Sequence, residues 1–207
     1  MKPRLIVFAS GSATGGGSGF EKLCIAAQDG TLQAKIVAVV SNHQNGGVRK
    51  IAEKYSIPFE HFNGPYIASE YWRINIQYKA EWTALSGWIK IVKGLNPRTT
   101  INIHPGPLPE FGGKGFYGHH VHEAVLAAYK RGEVTHSAVT MHFVTPVYDE
   151  GPHILRIPVP IMPDDTTDTL GKRVNEVEHM WQAKITNLVV NKSIFLDKGI
   201  VVGAILH

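Results

Sequence analysis

Short apolar, β-branched runs alternate with amphipathic segments of helical length through the first half of this 207-residue chain. That alternation restricts the fold more than any other feature, because it is the pattern of βαβ units around a largely parallel sheet. Residues 5–9, 35–41, 57–59, 83–86 and 100–103 have strand character, and residues 20–28, 48–55 and 66–79 have helical character. In the first of these helices Phe20, Leu23, Cys24 and Ala27 fall on one face at the 3.6-residue spacing. Further on, residues 137–144 alternate apolar with polar, and residues 153–160 follow across a turn as an antiparallel partner, so the sheet is mixed. A helix over 117–128 precedes that pair. A long one over 166–190 follows it, with Asp165 or Thr166 as N-cap and Leu170, Val174, Val177, Trp181, Ile185 and Leu188 as its apolar stripe. Residues 193–207 suggest a small hairpin or edge strand. With no internal repeat, low-complexity tract or linker, the expectation is one α/β domain over residues 1–207. Its architecture is a three-layer sandwich with a mostly parallel, mixed central sheet of Rossmann-like kind.

Composition narrows the function classes. Hydrophobic residues make up 43% of the chain, enough to bury a full core and to exclude disorder. The single cysteine, Cys24, excludes an intramolecular disulfide framework and fits a reducing, cytoplasmic setting. No apolar run approaches the ~18–20 residues that span a bilayer, so no membrane partner is expected. Lys and Arg exceed Asp and Glu by 21 to 17, but the basic pairs Arg49-Lys50, Lys130-Arg131 and Lys172-Arg173 are scattered. A nucleic-acid footprint needs a clustered patch, so anionic small molecules are the expected partners.

The loop after the first strand, Gly11-Ser12-Ala13-Thr14-Gly15-Gly16-Gly17-Ser18-Gly19, leads into a helix. Strand, glycine-rich turn and helix N-terminus is a geometry that holds phosphate through backbone N–H groups. A P-loop is excluded because Gly17 stands where its lysine is required. The dinucleotide fingerprint fails too, since no three glycines here have its spacing and the second strand ends in Ser41-Asn42 without an acidic residue. Neither ATP nor NAD is therefore expected. A phosphate monoester fits; a flexible connecting loop is the plainer alternative.

The segment Ile101-Asn102-Ile103-His104-Pro105-Gly106-Pro107-Leu108-Pro109 carries the most chemistry. Asn102 and His104 share one strand face, and the prolines fix the chain just beyond them. Asp149, in Tyr148-Asp149-Glu150-Gly151-Pro152, can add a carboxylate. An amide, an imidazole and a carboxylate suffice for acyl transfer without a covalent enzyme intermediate: the amide meets the oxyanion, the imidazole moves a proton and the carboxylate orients it. A packed strand with polar ends is the alternative.

Asn-x-His-Pro followed by Leu-Pro and a later Asp-x-Gly-Pro turn resembles the 10-formyltetrahydrofolate-dependent formyltransferases, from the first strand to about residue 190. The resemblance is nearest to the branch acting on glycinamide ribonucleotide. It implies the formyltransferase fold and 10-formyltetrahydrofolate as co-substrate, without a metal. Asn102, His104 and Asp149 would be the catalytic trio: Asn102 and a protonated His104 stabilise the oxyanion of direct amine attack, and Asp149 favours the imidazolium. It further implies a folate pocket lined by Leu85, Trp88, Ile89, Lys90, Ile91 and Val92 on one side and by Val147, Tyr148, Glu150 and Gly151 on the other. Gly16, Gly17, Ser18 and Gly19 would hold the substrate phosphate, with Pro109 also on the substrate side and Glu178 meeting the ribose hydroxyls. The glycine loop is several residues longer than the family's and has Gly19 where asparagine is usual. Arg73 is a candidate for the basic residue that assists the phosphate. The resemblance allows a monomer or a homodimer.

His119, His120 and His122 resemble metal ligands at first sight, but without a cysteine or fixed carboxylate partner they are expected to cap the following helix, with a substrate-side role open for His122. Trp72, Trp82 and Trp181 are expected in the core or at its rim, Cys24 as an inert buried thiol, and Glu150 in solvent. Three rivals remain: a sugar-nucleotide N-formyltransferase with the same trio, a methionyl-tRNA formyltransferase (disfavoured by the short stretch after the long helix), and a folate-binding regulator without turnover.

Overall fold

The computed structural model describes residues 1–203. Its elements are β1 (Arg4–Phe8), α1 (Ser18–Asp29), β2 (Lys35–Ser41), α2 (Gly47–Lys54), β3 (Phe59–His61), α3 (Ala68–Gln77), β4 (Trp82–Ser86), β5 (Thr100–His104), α4 (His119–Lys130), β6 (His136–Phe143), β7 (His153–Pro160), α5 (Thr167–Val190), β8 (Phe195–Asp197) and β9 (Ile200–Val202). Seven strands form one sheet in the order β3-β2-β1-β4-β5-β6-β7. The pairings from β3 across to β5 are parallel, and β5–β6 and β6–β7 are antiparallel. The expected mixed, mostly parallel sheet is therefore present. Residues 195–202 form a separate hairpin, β8 with β9, and do not extend the main sheet; of the expected tail, residues 204–207 lie outside the described residues.

Alternation along β1 sorts the core into two layers. Leu5, Val7 and Ala9 pack with α1, α2, α4 and α5, whereas Ile6 and Phe8 pack with Tyr71 and Ile74 of α3 and with Trp88. Because each apolar β1 residue is fully buried, the strand reads as a continuous apolar run, as a central parallel strand should. Of the two candidate caps for α5, Thr166 serves: its Oγ1 accepts from Thr169 N–H at 3.2 Å, and Thr169 Oγ1 accepts from Thr166 N–H at 2.9 Å. Asp165 instead takes both Arg173 guanidinium nitrogens, at 2.6 and 2.9 Å. Strand order reverses direction between β1 and β4, and the loops leaving the carboxyl ends of these two strands border the crevice where ligands bind in open α/β sheets.

Candidate active site

That crevice is a cavity of about 700 Å³. Its floor is the end of β5. There Asn102 pairs across the antiparallel register with His142 of β6, and Asn102 Nδ2 lies 3.1 Å from His142 Nε2. Two backbone carbonyls set the imidazole tautomers. His142 Nδ1–H donates to Phe143 O at 3.0 Å, leaving Nε2 to accept from Asn102; His104 Nε2–H donates to Phe111 O at 2.8 Å. The His104 Nδ1 edge faces Asp149 Oδ2 at 3.7 Å, while Asp149 Oδ1 lies 3.5 Å from His142 Nε2. Asp149 thus stands between two imidazoles and is held there by Gly113 N–H, which donates to Oδ2 at 2.9 Å. Thr140, opposite His104, anchors the exit of β5: its hydroxyl donates to Gly106 O at 2.8 Å.

Burial sets the charge states. Burial alone would raise the Asp149 carboxyl, but the neighbouring His142 and His104 side chains and Gly113 N–H together hold it below its ordinary value. For His104 burial wins: it lowers the imidazole more than Asp149 and the Phe111 carbonyl raise it. The site without substrate therefore pairs an ionised Asp149 with a neutral His104.

The glycine loop divides into two parts. Ser12 N–H donates to Gly15 O at 2.8 Å and Gly15 N–H to Ser12 Oγ at 2.9 Å, closing a small turn. Its neck is narrow, since a Cβ on Gly16 would fall 2.7 Å from Gly11 Cα. The turn docks on the start of α2: a Cβ on Gly47 would meet Gly15 C at 2.6 Å, and one on Gly46 would strike Ser12 O. The additional length is thereby looped out onto α2, and Gly16, Gly17, Ser18 and Gly19 face the cavity. Gly17 caps α1 in the left-handed region (φ 89°), with no side-chain cap. The N–H groups of Ser18, Gly19 and Phe20 make no hydrogen bond to another described residue, which leaves three donors at the positive end of the helix dipole.

The remaining walls follow the expectation in large part. Leu85, Trp88, Ile89, Lys90, Ile91 and Val92 line the cavity, as do Val147, Tyr148 and Glu178. Ser10 ties the β1 and β4 ends together, accepting at Oγ from Ile89 N–H at 3.1 Å and donating its own N–H to Gly87 O at 3.1 Å. Trp88 is buried, with Nε1–H on Tyr71 Oη at 3.1 Å and an edge-on contact with Phe8. Three expected site residues do not line the cavity. Pro109 is exposed on the turn beyond the rigid exit, Glu150 points to solvent, and Gly151 is pressed against the Phe143 carbonyl, where a Cβ would have no room. Arg73 is likewise outside it, bound by Glu70, Gln77 and Glu60.

Several groups escaped the sequence reading. His142, Asn175, His179 and Gln182 all line the cavity. Asn175 Nδ2 donates to Glu178 Oε2 at 3.2 Å, and burial pushes the Glu178 carboxyl up to about 7. His179 Nε2 lies 3.0 Å from Ser18 Oγ. His142 had a signal, since Thr140 and His142 are polar residues two apart on a strand and match the Asn102–His104 pattern, but only the register shows that they meet. His122 is buried against Gly171 and pushed down to about 4 by burial, with Nδ1 unpartnered among the described residues. His119 and His120 instead pair with Glu123, and His119 also with Asp168. Burial pushes the Cys24 thiol up to about 12, so it is inert at neutral pH.

Residues 3–186 match the formyl transferase family. The chain belongs to that family. It is 31% identical over 204 residues to the chloroplastic phosphoribosylglycinamide formyltransferase of Arabidopsis thaliana, covering 93% of this chain and 67% of that protein. The Schizosaccharomyces pombe phosphoribosylglycinamide formyltransferase is 28% identical over 202 residues, covering 87% and 93%. Among solved structures, phosphoribosylglycinamide formyltransferase from Coxiella burnetii superposes with a TM-score of 0.82 at 27% identity, covering 97% of this chain and 93% of that one. The chain spans only 19% of the trifunctional purine biosynthetic protein of Bos taurus that it also matches. No helix among the described residues is long and apolar enough to cross a membrane.

Proposed function

We propose that this formyl transferase moves a formyl group from 10-formyltetrahydrofolate to the primary amine of 5-phosphoribosylglycinamide, glycinamide ribonucleotide, in purine biosynthesis. The observation that carries the reading is the Asn102–His142–Asp149–His104 cluster between an uncapped α1 N-terminus and the largely apolar wall beyond β4. A phosphate monoester suits the first and a flat folate ring system the second, and the reacting carbon then lies over β5 in this reading.

The neutral amine attacks the formyl carbon and a C–N bond forms. The N–H of Asn102 that is not engaged by His142 donates to the developing oxyanion. His104, neutral beforehand, accepts the proton shed by the attacking nitrogen at Nδ1, the edge facing Asp149; the imidazolium is then opposed by the carboxylate. That proton passes to N10 of the folate, the C–N10 bond breaks, and the formamide and tetrahydrofolate leave. This departs from the expected mechanism, in which a protonated His104 shares the oxyanion with Asn102, because burial of His104 disfavours the imidazolium.

The test is formyl transfer by the purified protein, followed by absorbance of released tetrahydrofolate, with glycinamide ribonucleotide and an amino-sugar nucleotide compared side by side and a sample without acceptor. Turnover with the ribonucleotide alone is expected. Turnover with the sugar alone would overturn the acceptor assignment while keeping the trio, and folate binding without any transfer would replace the enzyme with a regulator.

A further inference from the structure

Gly19 lacks the side chain that the family's asparagine would place beside the α1 N-terminus, and the structure shows what occupies that space. A Cβ on Gly19 would strike Ser86 Oγ and would lie 2.9 Å from Gln182 Oε1. Both side chains line the cavity, Gln182 being 2% exposed and Ser86 6%. Neither the Gln182 carboxamide nor the Ser86 hydroxyl hydrogen-bonds to another described residue, and neither is among the fully enclosed polar atoms left without a partner, so both polar ends open onto the cavity. Gln182 lies one turn beyond Glu178 and three residues after His179, which contacts Ser18. Gln182 and His179 therefore look onto the same first turn of α1.

We propose that Gln182, with the Ser86 hydroxyl beside it, forms the side-chain half of the phosphate subsite in this chain, at the corner that glycine at position 19 leaves open. The amide Nε2–H and the serine O–H donate to a phosphate monoester whose other oxygens accept from Ser18, Gly19 and Phe20 N–H. No arginine lines the cavity. Its two lysines belong to other loops: Lys90 lies over the Tyr66 ring and Lys114 follows Gly113. Neutral donors thus do most of the anion recognition, and the Glu178 carboxyl accepts from Asn175. This inference rests on the phosphorylated acceptor proposed above, and its test separates the two.

Gln182→Met keeps the volume and removes the donors. With glycinamide ribonucleotide the variant's KM should rise by about 10-fold or more, the effect of one hydrogen bond to a charged group, with kcat unchanged. With the dephosphorylated ribonucleoside, kcat/KM should match wild type. Inhibition by inorganic phosphate should weaken in parallel, and the unfolding midpoint without ligand should not fall, as it would if the glutamine were only structural. Equal losses with both acceptors, or no loss with either, would overturn the assignment. If Gln182→Met does not fold, Ser86→Ala carries the same comparison. If wild type formylates neither acceptor, the proposed function fails, but titration of both proteins with inorganic phosphate still decides the subsite: equal affinity rejects it.

Discussion

Replacing Asp149 by asparagine isolates one charge with little else disturbed. Asp149 sits at φ 56°, in the left-handed region that asparagine tolerates better than most non-glycine residues. An amide oxygen can still accept from Gly113 N–H, so the loop keeps its anchor. What disappears is the carboxylate opposing the imidazolium that His104 becomes during transfer. At 3.7 Å and an effective dielectric constant of about 20, that interaction amounts to about 4 kcal/mol, an upper bound because the cavity admits water. With each 1.36 kcal/mol worth a factor of ten, the expected loss in kcat is about 10²- to 10³-fold, with the folate KM little changed. Stopped-flow absorbance under single-turnover conditions reads the chemical step directly. An NMR titration of the His104 ring supplies a second observable. Removing the carboxylate removes a contribution that raises the imidazole, so its pKa in the variant must lie below that of wild type, already lowered by burial. A variant turning over within about threefold of wild type, a difference of under 1 kcal/mol, would refute the charge argument, as would an imidazole that titrates unchanged.

Three further outcomes follow from the same geometry. Asn102→Ala removes the oxyanion donor and leaves His142 Nε2 without its partner; kcat should fall about 10²- to 10³-fold while folate affinity, measured by direct titration, is kept. Glu178 is raised from 4.5 to about 7, so the folded state binds more protons than the unfolded state between those values and stability falls as pH rises through that window. Thermal unfolding of Glu178→Gln across the same range should lack that decline. Excising residues 12–15 joins Gly11 to Gly16, whose Cα atoms are within about 4 Å, close to the ~3.8 Å of consecutive residues. The shortened protein should fold and keep its ribonucleotide KM within about threefold, under 1 kcal/mol. A tenfold rise would place the turn in the substrate site.

Legibility in the sequence tracks how local the responsible physics is. Apolar, β-branched runs located β1, β2, β4 and β5 and the 3.6-residue period located α5, because burial is written into adjacent residues. Boundaries moved where backbone conformation intervened. Gly118, at φ 52° and ψ −126°, delays α4 to His119, and Ile57 N–H is drawn to Ala52 O at the end of α2, so β3 begins at Phe59. Asn102 and His104 were legible for the same local reason, whereas His142 depends on the β5–β6 register and Gln182 on how α5 crosses α1. The charge state of His104 was not legible either, since it reflects the competition between burial and a carboxylate 45 positions away.

The glycine loop shows how a departure in sequence can be small in space. Counting residues, the segment between β1 and α1 is too long for the family's phosphate loop. In the structure Gly11 and Gly16 close a neck, Ser12 and Gly15 bond each other, and the added turn rests on Gly46 and Gly47 of α2. Glycines at both ends of that contact are what permit it, because side chains there would collide with backbone. The chain thus returns to α1 with an uncapped helix N-terminus facing the cavity. The substantive change is the smaller one, glycine in place of asparagine at position 19, since it opens the corner that the Ser86 hydroxyl and the Gln182 carboxamide occupy.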